Sequence, residues 1–136
     1  MKVLVDTSVW SMTLRRRASP AQYGVAELTN LIRDHRVQII GPIRQEILSG
    51  VRHKDQFERL QRRLASFPDV PITTEDYVTA ARFFNLCRAK GVQGSNTDFL
   101  ICAVSVRLAS AIFTSDRDFD HFDAHLPISL YRGTTS

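Results

Sequence analysis

Short apolar runs alternate with longer amphipathic stretches along this chain, and that alternation restricts the fold more than any single residue does. Val3-Leu4-Val5, Val37 to Ile40, Val70-Pro71-Ile72, Ala111-Ile112-Phe113 and Ile128 to Tyr131 each read as a strand. Continuous apolar runs of this kind mark strands buried on both faces. Between them, apolar residues recur every three or four positions. Ala21, Val25, Leu28, Leu31 and Ile32 predict one helix, with Pro20 suited to its first turn. Ile43, Ile47 and Val51 predict a second, opened by Gly41-Pro42, and Phe57, Leu60, Leu64 and Phe67 a third. Tyr77, Ala81, Phe84 and Cys87 are the expected inward face of a fourth, which Thr73 and Asp76 can open with a capping box. The last long helix, from Asp98 through Leu108, is apolar nearly all round and so belongs in the core. Strands alternating with helices predict an α/β fold with a parallel sheet covered on both faces. Pro71 cannot donate to a ladder, which places its strand at an edge.

At 136 residues the chain reads as a single domain, 1–136. Its 43% hydrophobic and 24% charged residues are those of an ordinary globular protein and exclude disorder and collagen. No apolar run approaches the roughly 20 residues of a membrane helix, and Asp6 interrupts the first run too early for a signal peptide. Two cysteines cannot build a disulfide framework, so the expected address is cytoplasmic, with no membrane partner. Eighteen Lys and Arg against fourteen Asp and Glu give a net charge of +4, which favours a polyanionic partner without establishing one.

In open α/β sheets ligands bind at the carboxyl ends of the strands. Acids stand at or near several of those ends. Asp6 follows the first run, with Thr7 and Ser8 able to cap the next helix, and Thr114-Ser115-Asp116-Arg117-Asp118 follows the strand at 111–113. The second strand leads into the helix carrying Glu46, and Asp98 opens the apolar core helix. A carboxylate there is costly unless a cation answers it. Four carboxylates in one crevice repel each other and suit a hard divalent ion such as Mg²⁺ or Mn²⁺. Such an ion activates water and steadies a phosphodiester, while arginines of a basic protein grip the phosphates.

These stretches resemble the motifs of a known family. Asp6-Thr7-Ser8-Val9-Trp10, Glu46-Ile47-Leu48-Ser49-Gly50-Val51, Asp98-Phe99-Leu100-Ile101-Cys102-Ala103 and Thr114-Ser115-Asp116-Arg117-Asp118-Phe119 stand in the order of the four motifs of PIN-domain ribonucleases, specifically VapC-type toxins of toxin–antitoxin pairs. The resemblance implies a three-layer α/β/α fold around a mainly parallel sheet of four to five strands. It implies a Mg²⁺-dependent endoribonuclease, with Mn²⁺ as the alternative ion, and Asp6, Glu46, Asp98 and Asp116 as the catalytic acids. Asp6, Asp98 and Asp116 would hold the metal, with Glu46 and Asp118 as further candidates. It also implies a homodimer, a VapB-type antitoxin and an RNA target such as tRNA. Thr7, Ser8, Ser115 and Asn96 are candidates for supporting the acids, and Asn96 or Thr97 for capping the helix of Asp98. Arg15, Arg16, Arg17, Arg44, Arg52, Lys54 and Arg117 are the candidate RNA contacts.

The rival readings fit less well. A haloacid-dehalogenase-like phosphotransferase needs a second Asp where this chain has Ser8, and a receiver domain needs a lysine at a strand end, where Lys2, Lys54 and Lys90 do not lie. His121 and His125 lack the glutamate of a zinc-protease helix, and Gly91 and Gly94 match no nucleotide-binding spacing. The non-enzymatic alternative is an RNA-binding or regulatory module whose acidic pocket is only structural. Cys87 and Cys102 read as core thiols, and Trp10 as a packing or partner-facing residue.

Overall fold

The computed structural model describes residues 1–14 and 23–133. Its elements run β1 Val3–Val5, α1 Thr7–Leu14, α2 Tyr23–Arg33, β2 Val37–Gln38, α3 Gly41–Leu48, α4 Lys54–Leu64, α5 Thr74–Ala89, α6 Asn96–Leu108, β3 Ala111–Phe113 and α7 Asp118–Asp123. The strands form one parallel sheet in the order β2-β1-β3, with Leu4 opposite Gln38 on one side and Ile112 on the other. β1 is therefore the central strand, and its three residues are fully buried. This is the α/β architecture that the alternation predicts.

The described sheet has three strands rather than the expected four to five. The two outer runs survive as single parallel bridges, Ile39 to Asp69 and Ile112 to Leu130. Val70 still donates to Ile39 at 2.9 Å, but Pro71 has no N–H with which to extend the ladder. The run at 128–131 is confined between Pro127 and Gly133, whose φ of +87° turns the chain away.

Other differences also have local causes. α3 stops at Leu48, short of Val51, where Ser49 leaves helical geometry and Gly50 takes φ +84°. On α5 Asp76 and Ala80 are buried in place of the expected Tyr77 and Ala81, which face solvent, while Cys87 is buried and Phe84 half-buried against the core as expected. The reason is electrostatic. Asp76 is buried and takes two hydrogen bonds from Arg107 of α6, Nε to Oδ1 at 2.8 Å and an N–H of the guanidinium to Oδ2 at 2.9 Å. That pair turns the acidic face of α5 toward α6 and holds the Asp76 carboxyl below the usual range, chiefly through the bond from Arg107. The Thr73–Asp76 capping box is present as expected. In α4, Leu64 is buried, but Phe57 stays exposed.

The core is contiguous. Leu28 and Leu31 from α2, Ile43 and Ile47 from α3, and Phe99 through Val104 from α6 close over the sheet. Phe99 stacks near Phe84 and Phe122, with ring centroids 5.5 and 4.8 Å away. Burying one such aromatic contributes roughly 1.5–3 kcal/mol. Cys87 and Cys102 are fully buried free thiols, and burial pushes both up from the usual thiol range. Trp10 is 3% exposed and packs edge-on against Phe67, so its ring is closed to base stacking. Among the described residues no helix is long and apolar enough to cross a membrane.

Candidate active site

Asp6 is the first residue past the central strand. Its N–H donates to the Phe113 carbonyl at 2.8 Å, prolonging the ladder with β3, and its carbonyl accepts the first helical N–H groups of α1 from Val9 and Trp10. With the backbone held on both sides, its side chain has little freedom. Oδ2 accepts two hydroxyls, Ser8 Oγ at 2.8 Å and Thr114 Oγ1 at 2.9 Å.

Thr114 is the first residue past β3. Its Oγ1 also accepts from the Asp116 N–H at 3.0 Å, and Ser8 Oγ accepts from the Ser115 N–H at 3.0 Å. The two hydroxyl oxygens lie 3.3 Å apart. One small network thus ties the end of β1 to the turn that presents Asp116. Asp116 Oδ1 in turn accepts from the Asp118 N–H at 2.9 Å, the Asx-type bond that shapes an acidic turn.

Asp98 arrives from a third direction, on the first turn of α6. The cap is Ser95, one residue before Asn96 and two before Thr97, the expected caps. Ser95 Oγ accepts from the Asp98 N–H, and Asp98 Oδ2 accepts from the Ser95 N–H, each at 3.0 Å. That reciprocal box fixes one carboxylate oxygen and leaves Oδ1 without a protein donor among the described residues. Burial raises the Asp98 carboxyl above the usual range, the two Ser95 bonds lower it, and the charges of Asp6 and Asp116 raise it further. The charges of Asp6 and Asp116 thus reach Asp98 across the crevice. Among the described residues none of them has a Lys, Arg or His nitrogen within 4.0 Å. No three His, Cys, Asp or Glu side chains among those residues are already drawn together as a closed ligand set.

Glu46 sits further out on α3, exposed, where its Oε1 accepts the Thr7 hydroxyl at 3.0 Å. Asp118 and Asp120 are exposed, and Asp120 pairs with Arg132 at 3.4 Å. Ser115 contributes its backbone N–H to the network. Asn96 lines a cavity with Tyr77 and Phe84, and no hydrogen bond joins it to the acids among the described residues. Thr114, which bonds both Asp6 and Asp116, is the residue beside these acids that sequence reasoning missed. Its signal was its place, directly after a strand and two before an acid.

The basic residues divide. Arg117 is exposed beside Asp116, and Arg52 and Lys54 are exposed at the start of α4, Lys54 lying 4.0 Å from Glu58. Arg15, Arg16 and Arg17 lie outside the described residues. Arg44 has a structural task instead of facing outward: it bonds Asp69 Oδ1 at 3.0 Å, the Leu64 carbonyl at 2.9 Å and the Phe67 carbonyl. Phe67 lies three residues past the end of α4, and its N–H also donates to the Leu64 carbonyl at 3.0 Å, so Arg44 braces the turn that follows the helix.

Comparison with known proteins bears on this arrangement. A family model described as the PIN domain matches residues 3–125. Ribonuclease VapC11 of Mycobacterium tuberculosis is 30% identical over 122 residues, covering 87% of this chain and 89% of that protein. Two solved structures share the fold. The FitAcB crystal structure from Neisseria gonorrhoeae matches with a TM-score of 0.76 at 20% identity over 96% of each chain. VapBC2 from Rickettsia felis, bound to a promoter DNA fragment, matches with a TM-score of 0.76 at 14% identity over 96% of this chain and 98% of that one.

Proposed function

This chain belongs to the PIN-domain family, among its VapC ribonucleases, and from that premise we propose that Asp6, Asp98 and Asp116 hold Mg²⁺, or Mn²⁺ in its place, for endonucleolytic cleavage of RNA. The chain is thus a ribonuclease of the toxin type, and PIN-domain ribonucleases generally work with a divalent metal.

The observation that carries the metal reading is the uncompensated charge. The charges of Asp6 and Asp116 act on Asp98, and no cationic side chain among the described residues lies within 4.0 Å of the three. An all-oxygen set of this kind suits a hard divalent cation better than a soft one. The fit extends to single oxygens. Asp6 Oδ1, Asp98 Oδ1 and Asp116 Oδ2 have no protein donor among the described residues, whereas their partner oxygens are held by Ser8 and Thr114, by Ser95 and by Asp118. When bound, a divalent cation supplies Lewis-acid polarisation of the phosphodiester and a nucleophile at neutral pH.

The chain's own residues do the rest. Ser8 and Thr114 hold Asp6 at a fixed rotamer, and the Ser95 box does the same for Asp98, so ligand oxygens are placed before RNA arrives. Glu46 is the fourth acid of the proposed set, and the hydroxyl of Thr7 holds it against the start of α1. Arg117, Arg52 and Lys54 supply phosphate contacts; Arg44 is already engaged. The partners proposed are a VapB-type antitoxin and a second copy of this chain. The antitoxin is suggested by the solved VapBC2 from Rickettsia felis, which shares this fold.

The test is cleavage of end-labelled total RNA by the purified chain with Mg²⁺ or Mn²⁺, with EDTA, and with Asp98→Asn. Metal-dependent fragments absent from the variant are expected. Equal fragments from the variant would remove Asp98 from the site. RNA bound but never cut would leave the non-catalytic module.

A further inference from the structure

The last parallel stretch pairs Leu130 with Ile112 of β3, so it ends on the same side of the sheet as Asp6 and Thr114. The residue just past it, apart from Tyr131, is Arg132. A small cavity of about 70 Å³ opens there, with Thr114, Ser115 and Asp116 on its wall together with Arg117, Tyr131 and Arg132. The proposed metal-binding crevice and this cavity therefore share Asp116. That space admits several waters, and so the non-bridging oxygens of one phosphate.

We infer that Arg132, with Arg117, grips an RNA phosphate adjoining the scissile one and so sets how the strand enters the site. The inference rests on the ribonuclease reading and adds a residue to it. Asp116 Oδ1 is held by the Asp118 N–H of its own turn. Asp120 is the group that competes for Arg132, at 3.4 Å. Both side chains of that pair are mostly exposed, at 69% and 57%, so water and salt weaken it. A phosphodiester offers the planar guanidinium two oxygens at once, a better partner than one oxygen at 3.4 Å. Tyr131 fixes the approach. Its hydroxyl donates to Glu27 at 2.8 Å and its N–H to the Ile112 carbonyl at 2.7 Å, so the backbone before Arg132 is anchored on two sides.

The experiment measures binding of a short fluorescein-labelled single-stranded RNA of mixed sequence in EDTA across a salt series, using the full chain, Arg132→Ala, Arg132→Lys and Asp120→Asn. Arg132→Ala should weaken binding about three- to tenfold and flatten the salt slope by about 0.7, the loss of one phosphate contact to a single strand. Arg132→Lys should recover most of that slope, and Asp120→Asn should tighten binding by freeing the guanidinium. In metal-dependent cleavage, Arg132→Ala should raise KM by a similar factor with little change in kcat. An unchanged slope and KM in Arg132→Ala, or weaker binding in Asp120→Asn, would overturn the inference even if the chain cleaves RNA. If wild-type chain cuts no RNA, the binding arms still decide whether Arg132 holds phosphate.

Discussion

Thr114 Oγ1 stands 2.9 Å from Asp6 Oδ2, so the first residue past β3 fixes the orientation of the first residue past β1. Ser8 completes the tie by donating to the same oxygen and accepting from the Ser115 N–H. Supports of this kind around a metal ligand typically carry 10–100-fold in affinity or activity. Thr114→Val should therefore lower kcat on RNA about 10–100-fold at saturating metal, with Thr114→Ser restoring most of it. A Tm within a few degrees of wild type would show that orientation, not folding, was lost. Combined with Ser8→Ala, the loss should fall short of the product, because both hydroxyls hold one carboxylate oxygen.

The Asp76–Arg107 pair ties the first turn of α5 to the last turn of α6. The bond from Arg107 lowers the folded pKa of Asp76 below its ordinary 3.8. A depressed acid binds fewer protons when folded, so its stabilisation is complete above the unfolded value and fades as pH falls through 3.8 toward the folded one. Thermal melts of wild type and Asp76→Asn should thus differ by about 1–3 kcal/mol near neutral pH, a figure already lowered because Arg107 is a third exposed. The gap should narrow below pH 3.8. A gap that stays constant on acidification would show that the charge of Asp76 does not contribute.

Arg44→Ala separates structure from RNA binding. Removing the guanidinium takes the Arg44 donor from the Phe67 carbonyl and leaves the Leu64 carbonyl only the Phe67 N–H, at a cost of about 1–3 kcal/mol, with the salt slope of RNA binding unchanged. A flattened slope with an unaltered melt would return Arg44 to the RNA face.

Gly94 lies just before the cap of α6, and a Cβ there would stand 2.5 Å from Phe122 Cζ and 3.1 Å from Phe99 Cε2. Gly94→Ala should cost about 1–3 kcal/mol by overpacking and displace the Ser95–Asp98 box. Lower kcat at temperatures where the variant is still fully folded is the expected signature.

The places of the proposed acids in the fold were legible because each follows or opens an apolar element: Asp6 past β1, Asp116 shortly past β3, Asp98 at the head of α6. What supports them was not. Thr114 reads as an ordinary strand end until Asp6 is placed beside it. Ser95, Asn96 and Thr97 are all competent caps, and only backbone geometry at Ser95 decides among them. The first turns of the α5 face were misread, though Phe84 and Cys87 were not, because a buried aspartate looks like a solvated one until its arginine arrives from 31 residues away. Arg44 presented the converse difficulty: no local pattern distinguishes an arginine bound for phosphate from one bound for the end of a neighbouring helix. The outer strands were visible as apolar runs, and their reduction to bridges follows from Pro71, Pro127 and Gly133.

The central claim is that Asp6, Asp98 and Asp116 act as one cation site. It is tested most directly by calorimetric titration of Mn²⁺ into the RNA-free chain and into Asp6→Asn, Asp98→Asn and Asp116→Asn, with melts confirming that each variant folds. Specific Mn²⁺ binding by wild type that each single substitution weakens by at least about tenfold, roughly 1.4 kcal/mol, is the expected result. Mn²⁺ binding that survives unchanged in all three folded variants would contradict it.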